Sequence, residues 1–167
     1  MRKLVLIFSF LGVLSGCIHE NNTGYDLKVG ESLPSFEVVM NDGSVVTEAS
    51  LTGCVSILVF FHPSCPDCQQ ALPIIQKLYD EYASVGVIFT LISRECSWED
   101  IRSYWAENSL NLPYSAQEDR TIYNLFASER IPRIYISDEN GTVRYIFTDD
   151  PVPSYDDLKS ALESLIR

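Results

Sequence analysis

Positive charge is scarce in this sequence. Of its 167 residues, 12 are lysine or arginine and 23 are aspartate or glutamate, which leaves a net charge of -11. Nucleic acids and anionic membrane surfaces bind basic faces, so neither is expected as a direct partner. Internal repeats and low-complexity runs are also missing, and the 46% hydrophobic content is that of an ordinary globular protein. The composition predicts one globular domain that does not bind nucleic acid.

Cysteines are few and odd in number. The chain has five of them, at positions 17, 54, 65, 68 and 96. An odd count without an even framework excludes a small scaffold held together by disulfides. Each cysteine must therefore be interpreted separately.

Long apolar runs are absent, because none reaches the roughly 20 residues that a membrane-spanning helix requires. The run over residues 4–14 follows Arg2 and Lys3 and precedes small residues, which is the layout of a secretory signal peptide. The segment Leu14-Ser15-Gly16-Cys17 resembles the lipobox of bacterial lipoproteins, in which the cysteine becomes the lipidated N-terminus.

These two patterns predict three regions. A lipoprotein signal peptide covers residues 1–16, the lipidated Cys17 begins a polar tether over residues 17–28, and one domain covers residues 29–167. The acyl chains would anchor the domain to a membrane of the cell envelope, outside the cytoplasm and facing the periplasm, without spanning that membrane. A plain signal peptide with a coincidental cysteine remains the alternative.

Hydrophobic periodicity predicts an α/β fold with a central mixed sheet and helices on both faces. Strands are expected at residues 35–40, 44–47, 55–61, 87–93, 133–137 and 142–148. Helices are expected at residues 66–83, 97–108, 120–127 and 154–166. The strand–helix–strand order over residues 55–93 makes those two strands parallel neighbours. Turn residues at 41–43 and 140–141 predict an N-terminal β-hairpin and a second hairpin at one sheet edge.

Cys65 and Cys68 lie three residues apart at the start of the helix that follows the buried strand 55–61. Residues at i and i+3 of a first helical turn are neighbours, so their sulfurs can form a disulfide. Free N–H groups and the positive dipole end of the helix stabilise a thiolate on Cys65, although the charge of Asp67 opposes this effect. Pro66 at the first helical position loses no hydrogen bond. The pattern favours a redox-active thiol pair.

Two other interpretations of this spacing stay open. A zinc site needs two further ligands, and Cys54, Cys96, His19 and His62 do not offer the usual spacing for them. A purely structural disulfide is possible outside the cytoplasm. A cysteine pair that opens a helix after a buried strand nevertheless has the geometry of redox sites.

The segment Phe60-Phe61-His62-Pro63-Ser64-Cys65-Pro66-Asp67-Cys68 resembles the active site of thioredoxin-like proteins. Over residues 29–167 the sequence is similar to membrane-tethered thiol-disulfide oxidoreductases of the TlpA/ResA kind, in the AhpC/TSA-redoxin superfamily. Further matches to that family are the opening Gly30-Glu31-Ser32-Leu33-Pro34-Ser35-Phe36, the turns Asp42-Gly43 and Asn140-Gly141, the helix residue Pro73, and Ile131-Pro132 before a strand.

The resemblance implies a thioredoxin-like fold with catalytic Cys65 and Cys68. It also implies a cis-proline, formed by Ile131 and Pro132, that faces the thiols and presents backbone to a substrate. The remaining residues of the active-site loop would be His62, Pro63, Ser64, Pro66 and Asp67.

The sequence departs from this family next to the thiols. Ser64 replaces a tryptophan, and Val59 and Ala71 stand where thioredoxin and its relatives carry carboxylates. The usual proton relay for the second thiol is therefore missing, and solvent or another group must accept that proton.

Three other residues can be placed relative to the thiols. His62 is expected to line the site, either without a proton role or as an imidazolium that stabilises the thiolate. Cys96 ends the second strand at the same sheet edge and is expected to be an unpaired loop residue rather than a third redox thiol. Cys54 begins its strand at the opposite end, about 20 Å from Cys96 and beyond disulfide reach, and is expected in the core.

The sequence thus predicts an enzyme of the cell envelope, a thiol-disulfide oxidoreductase that works as a reductant. Its partners would be envelope proteins with disulfides or thiols and a membrane redox donor. It would act as a monomer, without metal or cofactor beyond the Cys65–Cys68 disulfide. The alternatives are a peroxiredoxin, which would need serine or threonine at position 62, and a metallochaperone that holds copper with the thiols and His62.

Overall fold

The computed structural model describes residues 25–166, so the predicted signal peptide and Cys17 lie outside the described residues. Strands in this range are β1 Glu37–Val39, β2 Val45–Thr47, β3 Ser56–Phe61, β4 Ile88–Ser93, β5 Tyr114–Ser115, β6 Arg133–Ser137 and β7 Val143–Phe147. Helices are α1 Glu48–Leu51, α2 Pro66–Tyr82, α3 Trp98–Glu107 and α4 Tyr155–Glu163, with short 3₁₀ helices at Ala83–Val85 and Tyr123–Leu125. Among residues 25–166, no helix has the length and apolar character needed to cross a membrane.

Five strands form the central sheet, in the order β5-β4-β3-β6-β7. β3 runs parallel to β4, and β5 runs parallel to β4 on its other side. β6 is antiparallel to β3, and β7 is antiparallel to β6. β1 and β2 form a separate antiparallel hairpin. The predicted mixed sheet, the parallel pair at its centre and the two hairpins are confirmed.

β3 is the central strand, and all six of its residues are buried. A run of apolar residues suits this place because the strand is covered on both faces. Successive side chains point to opposite faces. Phe61 therefore packs against Trp105 of α3, with ring centroids 5.1 Å apart, whereas Phe60 packs against Tyr123 of the 3₁₀ helix at 5.2 Å. Helical segments cover both faces of the sheet, as predicted.

α4 closes the fold and begins with a capping box. The Ser154 hydroxyl accepts a hydrogen bond from the Asp157 N–H at 3.2 Å, and the Asp157 carboxylate accepts one from the Ser154 N–H at 2.9 Å. Leu158 and Leu162 are buried on the inner face of this helix. The cap fixes where the apolar face starts.

Removing this cap should destabilise the domain moderately. We expect Ser154→Ala to lower the free energy of unfolding by about 1 kcal/mol, because the Asp157 N–H loses its acceptor. Urea denaturation would measure the change. The matched control is Ser160→Ala on the exposed face of α4, where a change within about 0.5 kcal/mol is expected. Equal losses in both variants would contradict a capping role.

Residues 25–28, assigned to the tether by the sequence, contact the domain and are called the N-terminal arm below. The Asp26 carboxylate accepts hydrogen bonds from the N–H and hydroxyl of Ser128, at 2.8 and 3.0 Å, and forms an ion pair of 3.1 Å with the buried Arg133 guanidinium. Although burial acts in the opposite direction, these partners hold the pKa of Asp26 below its ordinary value. Leu27 is buried. The arm is thus tied to the segment that leads into β6.

Two predicted helices are shorter in the structure. The segment 120–127 contains only the 3₁₀ turn Tyr123–Leu125. Here the N–H groups of Leu125 and Phe126 bond the carbonyls three residues earlier, at 3.1 and 2.9 Å, which is the spacing of a 3₁₀ turn. The closing helix ends at Glu163 rather than residue 166. At that end, the Ser164 hydroxyl donates to the Ala161 carbonyl at 2.7 Å and competes with the next helical turn.

Candidate active site

The thiol pair lies at one edge of the sheet. β3 ends at Phe61, the neighbouring strand β4 ends at Ser93, and these two residues are partners in the parallel register. Residues 62–65 connect β3 to α2, and Cys65 is the N-cap residue of that helix. The carboxyl edge of parallel strands is where open α/β sheets place their binding sites. The structure thus brings Cys65 and Cys68 to the predicted edge.

Hydrogen bonds inside the loop fix its shape. The Cys65 N–H donates to the His62 carbonyl at 3.0 Å, and the Gln69 side-chain amide donates to the Pro63 carbonyl at 2.8 Å. The N–H and hydroxyl of Ser64 lie 3.1 and 2.8 Å from Nδ1 of His62. His62 therefore lines the loop, as predicted, with one ring nitrogen engaged by Ser64. A proton role for His62 stays untested.

The first turn of α2 places the remaining loop residues. Pro66 occupies the first helical position, where no N–H is needed, and is exposed. Asp67 follows it and is half-buried between the two cysteines. Pro63 is buried beneath the loop. Of the predicted loop residues, Ser64 and Pro66 face solvent most openly.

The two thiols differ in accessibility. Cys65 is half-buried, and its Sγ donates to the carbonyl of Ile131 at 3.5 Å. Cys68 is fully buried, and both cysteines are free thiols. The Ile131–Pro132 peptide bond is cis, as predicted, and both residues are largely buried. The structure therefore brings together an accessible thiol, a buried thiol and the cis-proline segment.

Burial raises the pKa of the Cys68 thiol well above its ordinary value. A hydrogen bond from the His62 backbone and the charge of Arg94 act in the opposite direction, whereas the neighbouring Cys65 raises the pKa further. Val59 and Ala71, where relatives carry carboxylates, are buried and apolar. Within residues 25–166, no carboxylate is among the groups that mainly set this pKa.

This difference should appear as selective alkylation. In the native reduced protein at about pH 8, iodoacetamide should modify Cys65 at least about 100-fold faster than Cys68, because only thiolates react and Cys68 remains protonated and enclosed. The Cys68 rate should keep rising about tenfold per pH unit above the ordinary thiol value. Mass spectrometry of tryptic fragments would follow each site, with urea-unfolded protein as control. Equal native rates would contradict the burial of Cys68.

Arg94 lies beside the thiol loop, although no sequence motif indicates it. It is the first residue after β4, and its N–H donates to the Phe61 carbonyl at 2.9 Å. Its guanidinium carbon lies 5.1 Å from the ring centroid of Tyr123, and its side chain is only 21% exposed. The only available signal was its position at the end of a strand beside the thiol loop. An arginine there is ordinarily assumed to face solvent.

The other two described cysteines lie outside the thiol pair. Cys96 is buried and free in the loop after β4, the predicted location, and whether it acts as a third redox thiol stays untested. Cys54 was expected in the core, which is wrong: it is half-buried and lines a surface depression with Val85 and Ile166. The reason is local, because Cys54 still belongs to the turn before β3 and its N–H bonds the Leu51 carbonyl at 3.3 Å.

Metal-ligating side chains are dispersed in the part of the chain that the structure describes. No three His, Cys, Asp or Glu side chains come together there in a metal-binding arrangement.

A surface depression of about 570 Å³ lies between the β6–β7 turn and the end of α4, lined in part by Asp138, Asn140 and Arg144. The thiols do not line this depression.

Comparison with known proteins gives consistent matches. The family model described as the AhpC/TSA family matches residues 29–146. The thiol-disulfide oxidoreductase ResA of Oceanobacillus iheyensis is 24% identical over 147 residues, which is 86% of this chain and 76% of that protein.

Solved structures show the same architecture. A proposed protein disulfide isomerase of Bacteroides thetaiotaomicron superimposes with a TM-score of 0.77 at 21% identity, covering 86% of this chain and 93% of that chain. The thioredoxin domain of a thiol-disulfide oxidoreductase from Bacteroides vulgatus gives 0.73 at 19% identity, covering 85% and 100%. At this level of identity the superpositions establish the fold. The thioredoxin-like fold implied by the sequence resemblance is confirmed.

Proposed function

Because the chain belongs to the AhpC/TSA family and is a thioredoxin-like thiol-disulfide oxidoreductase, we propose that it exchanges disulfides with partner proteins through Cys65 and Cys68. One observation carries this proposal. A half-buried Cys65 thiol and a fully buried Cys68 thiol share the first turn of α2, and the carbonyl of Ile131 lies 3.5 Å from the Cys65 sulfur. An accessible attacking thiol backed by an enclosed resolving thiol is what disulfide exchange requires.

The exchange proceeds in two steps. The Cys65 thiolate attacks one sulfur of a partner disulfide, which forms a mixed disulfide and releases the other partner sulfur as a thiolate. Cys68 then loses its proton and attacks the Cys65 sulfur, which forms the Cys65–Cys68 disulfide and releases the second partner thiolate. The partner disulfide gains two electrons, and the dithiol of this protein is oxidised.

The segment beside Cys65 suits an extended partner chain. The carbonyl of Ile131 lies 3.5 Å from the attacking sulfur, next to the cis bond to Pro132. Main-chain groups at such an edge can pair with an extended peptide in the manner of an added strand. We assign Ile131 and Pro132 to the binding of the partner's backbone around its cysteine.

The environment of Cys68 supports the reducing direction that we propose. Strong dithiol oxidants stabilise their reduced form through a low-pKa thiolate. Cys68 has the opposite environment, because burial raises its pKa and therefore disfavours its thiolate. The reduced form therefore gains no stabilisation from a thiolate at Cys68, which favours a pair that gives up electrons.

The reduction potential of the Cys65–Cys68 couple tests this direction. After equilibration in thiol–disulfide buffers, we expect a value below about -230 mV, in the range of reducing thioredoxins. Reduction of insulin disulfides by the reduced protein would accompany it. A potential near about -120 mV, the range of strong oxidants, would reverse the proposed direction of electron flow.

We place this activity in the cell envelope, on a protein anchored by a lipid at Cys17. The support is the order of Arg2 and Lys3, the apolar run 4–14 and the lipobox-like ending. The partners would be envelope proteins with disulfides or thiols. A membrane redox donor would return electrons, and the protein would act as a monomer.

Replacement of Cys17 by serine should move the protein out of the membrane fraction, whereas Cys54→Ser should not. Unchanged partition of the Cys17 variant would rule out the lipid anchor.

A further inference from the structure

The loop that follows β4 holds Arg94 in a defined position. The Arg94 N–H bonds the Phe61 carbonyl, and two further N–H groups, of Glu95 and Cys96, bond the carbonyls of Asp119 and Gln117 at 3.3 and 2.9 Å. Glu95 has a φ of 60°, in the left-handed region that costs a non-glycine residue about 1 kcal/mol or more. The surrounding hydrogen bonds therefore hold the backbone of this turn in place. They also fix the point from which the Arg94 side chain extends.

The Arg94 guanidinium lies in the wall of the thiol site. It covers the ring of Tyr123, whose hydroxyl donates to the carbonyl of Arg130 at 2.6 Å, immediately before Ile131. Its Nε atom is buried and has no hydrogen-bond partner within residues 25–166, although a carboxylate oxygen of Glu95 lies 3.7 Å away. A buried N–H without an acceptor is costly, so the position of this Nε atom needs an explanation.

The surroundings of Cys68 supply that explanation. Cys65 shares the first turn of α2 with Cys68, and the Arg94 N–H bonds the carbonyl of Phe61, the residue that directly precedes the thiol loop. Cys65, the His62 backbone and the Arg94 charge all act on the pKa of the Cys68 thiol, and the half-buried Tyr104 of α3 is in turn affected by Cys68. Among these groups Arg94 alone carries a positive charge. Within the described range 25–166, no carboxylate among the groups that mainly act on Cys68 replaces the ones missing at positions 59 and 71.

We propose that Arg94 is a positioning residue for the resolving step, and that its positive charge favours the thiolate of Cys68 where the carboxylate relay is missing. The inference rests on the proposed function. While Cys65 carries a thiolate, two negative sulfurs would repel each other, so Cys68 stays protonated. Once Cys65 is bound in the mixed disulfide, that repulsion disappears and the charge of Arg94 acts on Cys68 without opposition.

The step balances without an added oxidant. Cys68 releases its proton to water and attacks the Cys65 sulfur of the mixed disulfide. The bond between Cys65 and the partner sulfur breaks as the Cys65–Cys68 bond forms, and the partner sulfur leaves as a thiolate that takes up a proton from water. Arg94 neither gives nor takes a proton, because guanidinium groups stay charged in proteins.

Dithiobis(nitrobenzoate) separates the two steps. With the reduced full-length chain in detergent, and with Cys17, Cys54 and Cys96 replaced by serine, Cys65 releases a first thionitrobenzoate and Cys68 a second. We expect Arg94→Met to slow the second release about tenfold at neutral pH and to move its pH profile up by about one unit. The first release should change by less than about twofold, because Cys65 is more accessible to solvent.

Matched variants separate charge from shape. Arg94→Lys should keep the second release within about threefold of the parent, because the charge remains. Arg120→Met is the control, since Arg120 also lies over Tyr123, at 5.2 Å, but is not among the charges that mainly act on Cys68. Its second release should stay within about twofold of the parent. An Arg94→Met profile equal to the parent's, or an Arg94→Lys profile equal to that of Arg94→Met, would overturn the proposal.

Glu95→Gln tests the same idea with the opposite sign, even if Arg94→Met does not fold. Removing the carboxylate 3.7 Å from Nε leaves the Arg94 charge less neutralised. The second release should become about two- to threefold faster, and an unchanged or slower release would overturn the proposal. Failure of Cys68→Ser to capture partner proteins in cells would instead refute the proposed function and leave the charge effect on the isolated dithiol standing.

Discussion

Replacing Cys65 by serine should abolish the reduction of insulin disulfides, with a loss of at least about a thousandfold in rate, because a serine hydroxyl is no nucleophile toward sulfur under these conditions. Cys68→Ser should behave differently. It retains the attacking thiol and loses the resolving one, so its mixed disulfides with partners should accumulate. Both variants replace a cysteine by serine. Their outcomes differ because Cys65 is accessible and Cys68 is fully buried.

Two controls make this comparison specific. Cys96→Ser replaces a thiol that is buried as Cys68 is, and Cys54→Ser replaces one that is half-buried as Cys65 is. Both should keep the parent rate within about twofold, because neither residue lies in the first turn of α2. Adducts are measured on non-reducing gels, with mass spectrometry to identify the linked cysteine. Insulin reduction by Cys65→Ser at the parent rate, or adducts that form through Cys96, would refute the assignment of the attacking thiol.

The substitution Phe60→Ala should lower the free energy of unfolding by about 3–5 kcal/mol, the largest effect we expect from a single change. Phe60 is 0% exposed at the centre of β3. Its ring meets those of Tyr123, Phe126 and Tyr135, with centroids 5.2, 5.0 and 6.3 Å away. Truncation removes buried apolar surface, opens a cavity and breaks all three ring contacts.

Urea denaturation of the reduced protein would measure this loss. Phe60→Leu should lose less than Phe60→Ala, because most of the volume stays filled. Val85→Ala, at a position that is 62% exposed, should change the stability by less than about 0.5 kcal/mol. A loss below about 1.5 kcal/mol in Phe60→Ala would mean that the surrounding rings close the cavity. Because Tyr123 also bonds the carbonyl before Ile131, a slower insulin assay should accompany the loss of stability.

The sequence determined the fold and the thiol pair because their signals are local and strong. The apolar run at 55–61 can be buried on both faces only as a central strand. Cys65 and Cys68 are three residues apart, and Pro66 between them suits the first helical position. These residues alone therefore indicate the first turn of a helix. Ser97 and Ser154 likewise marked the first turns of α3 and α4 within one residue.

The remaining features depend on contacts that sequence patterns do not encode. α1 and β5 have four and two residues, too few for a hydrophobic pattern to repeat along either element. The sequence pattern around Tyr123 predicts a helix. In the structure, the Tyr123 hydroxyl and the Arg120 side chain bind backbone carbonyls of the segment that follows. No sequence pattern distinguishes Arg94 from other arginines, and its relevance appears only when the fold places it beside the thiol loop.

The N-terminal arm gives the domain a defined response to mechanical load. Tension on the arm acts on Tyr25, whose hydroxyl donates to the Glu31 carboxylate at 2.6 Å, and on Asp26, which is held by two hydrogen bonds from Ser128 and by the Arg133 ion pair. Ser128 and Arg133 bracket Ile131 and Pro132, and Arg133 is also the first residue of β6. Pulling on the arm would therefore load the cis-proline segment together with the start of β6, and this segment would be held differently when the chain is under tension.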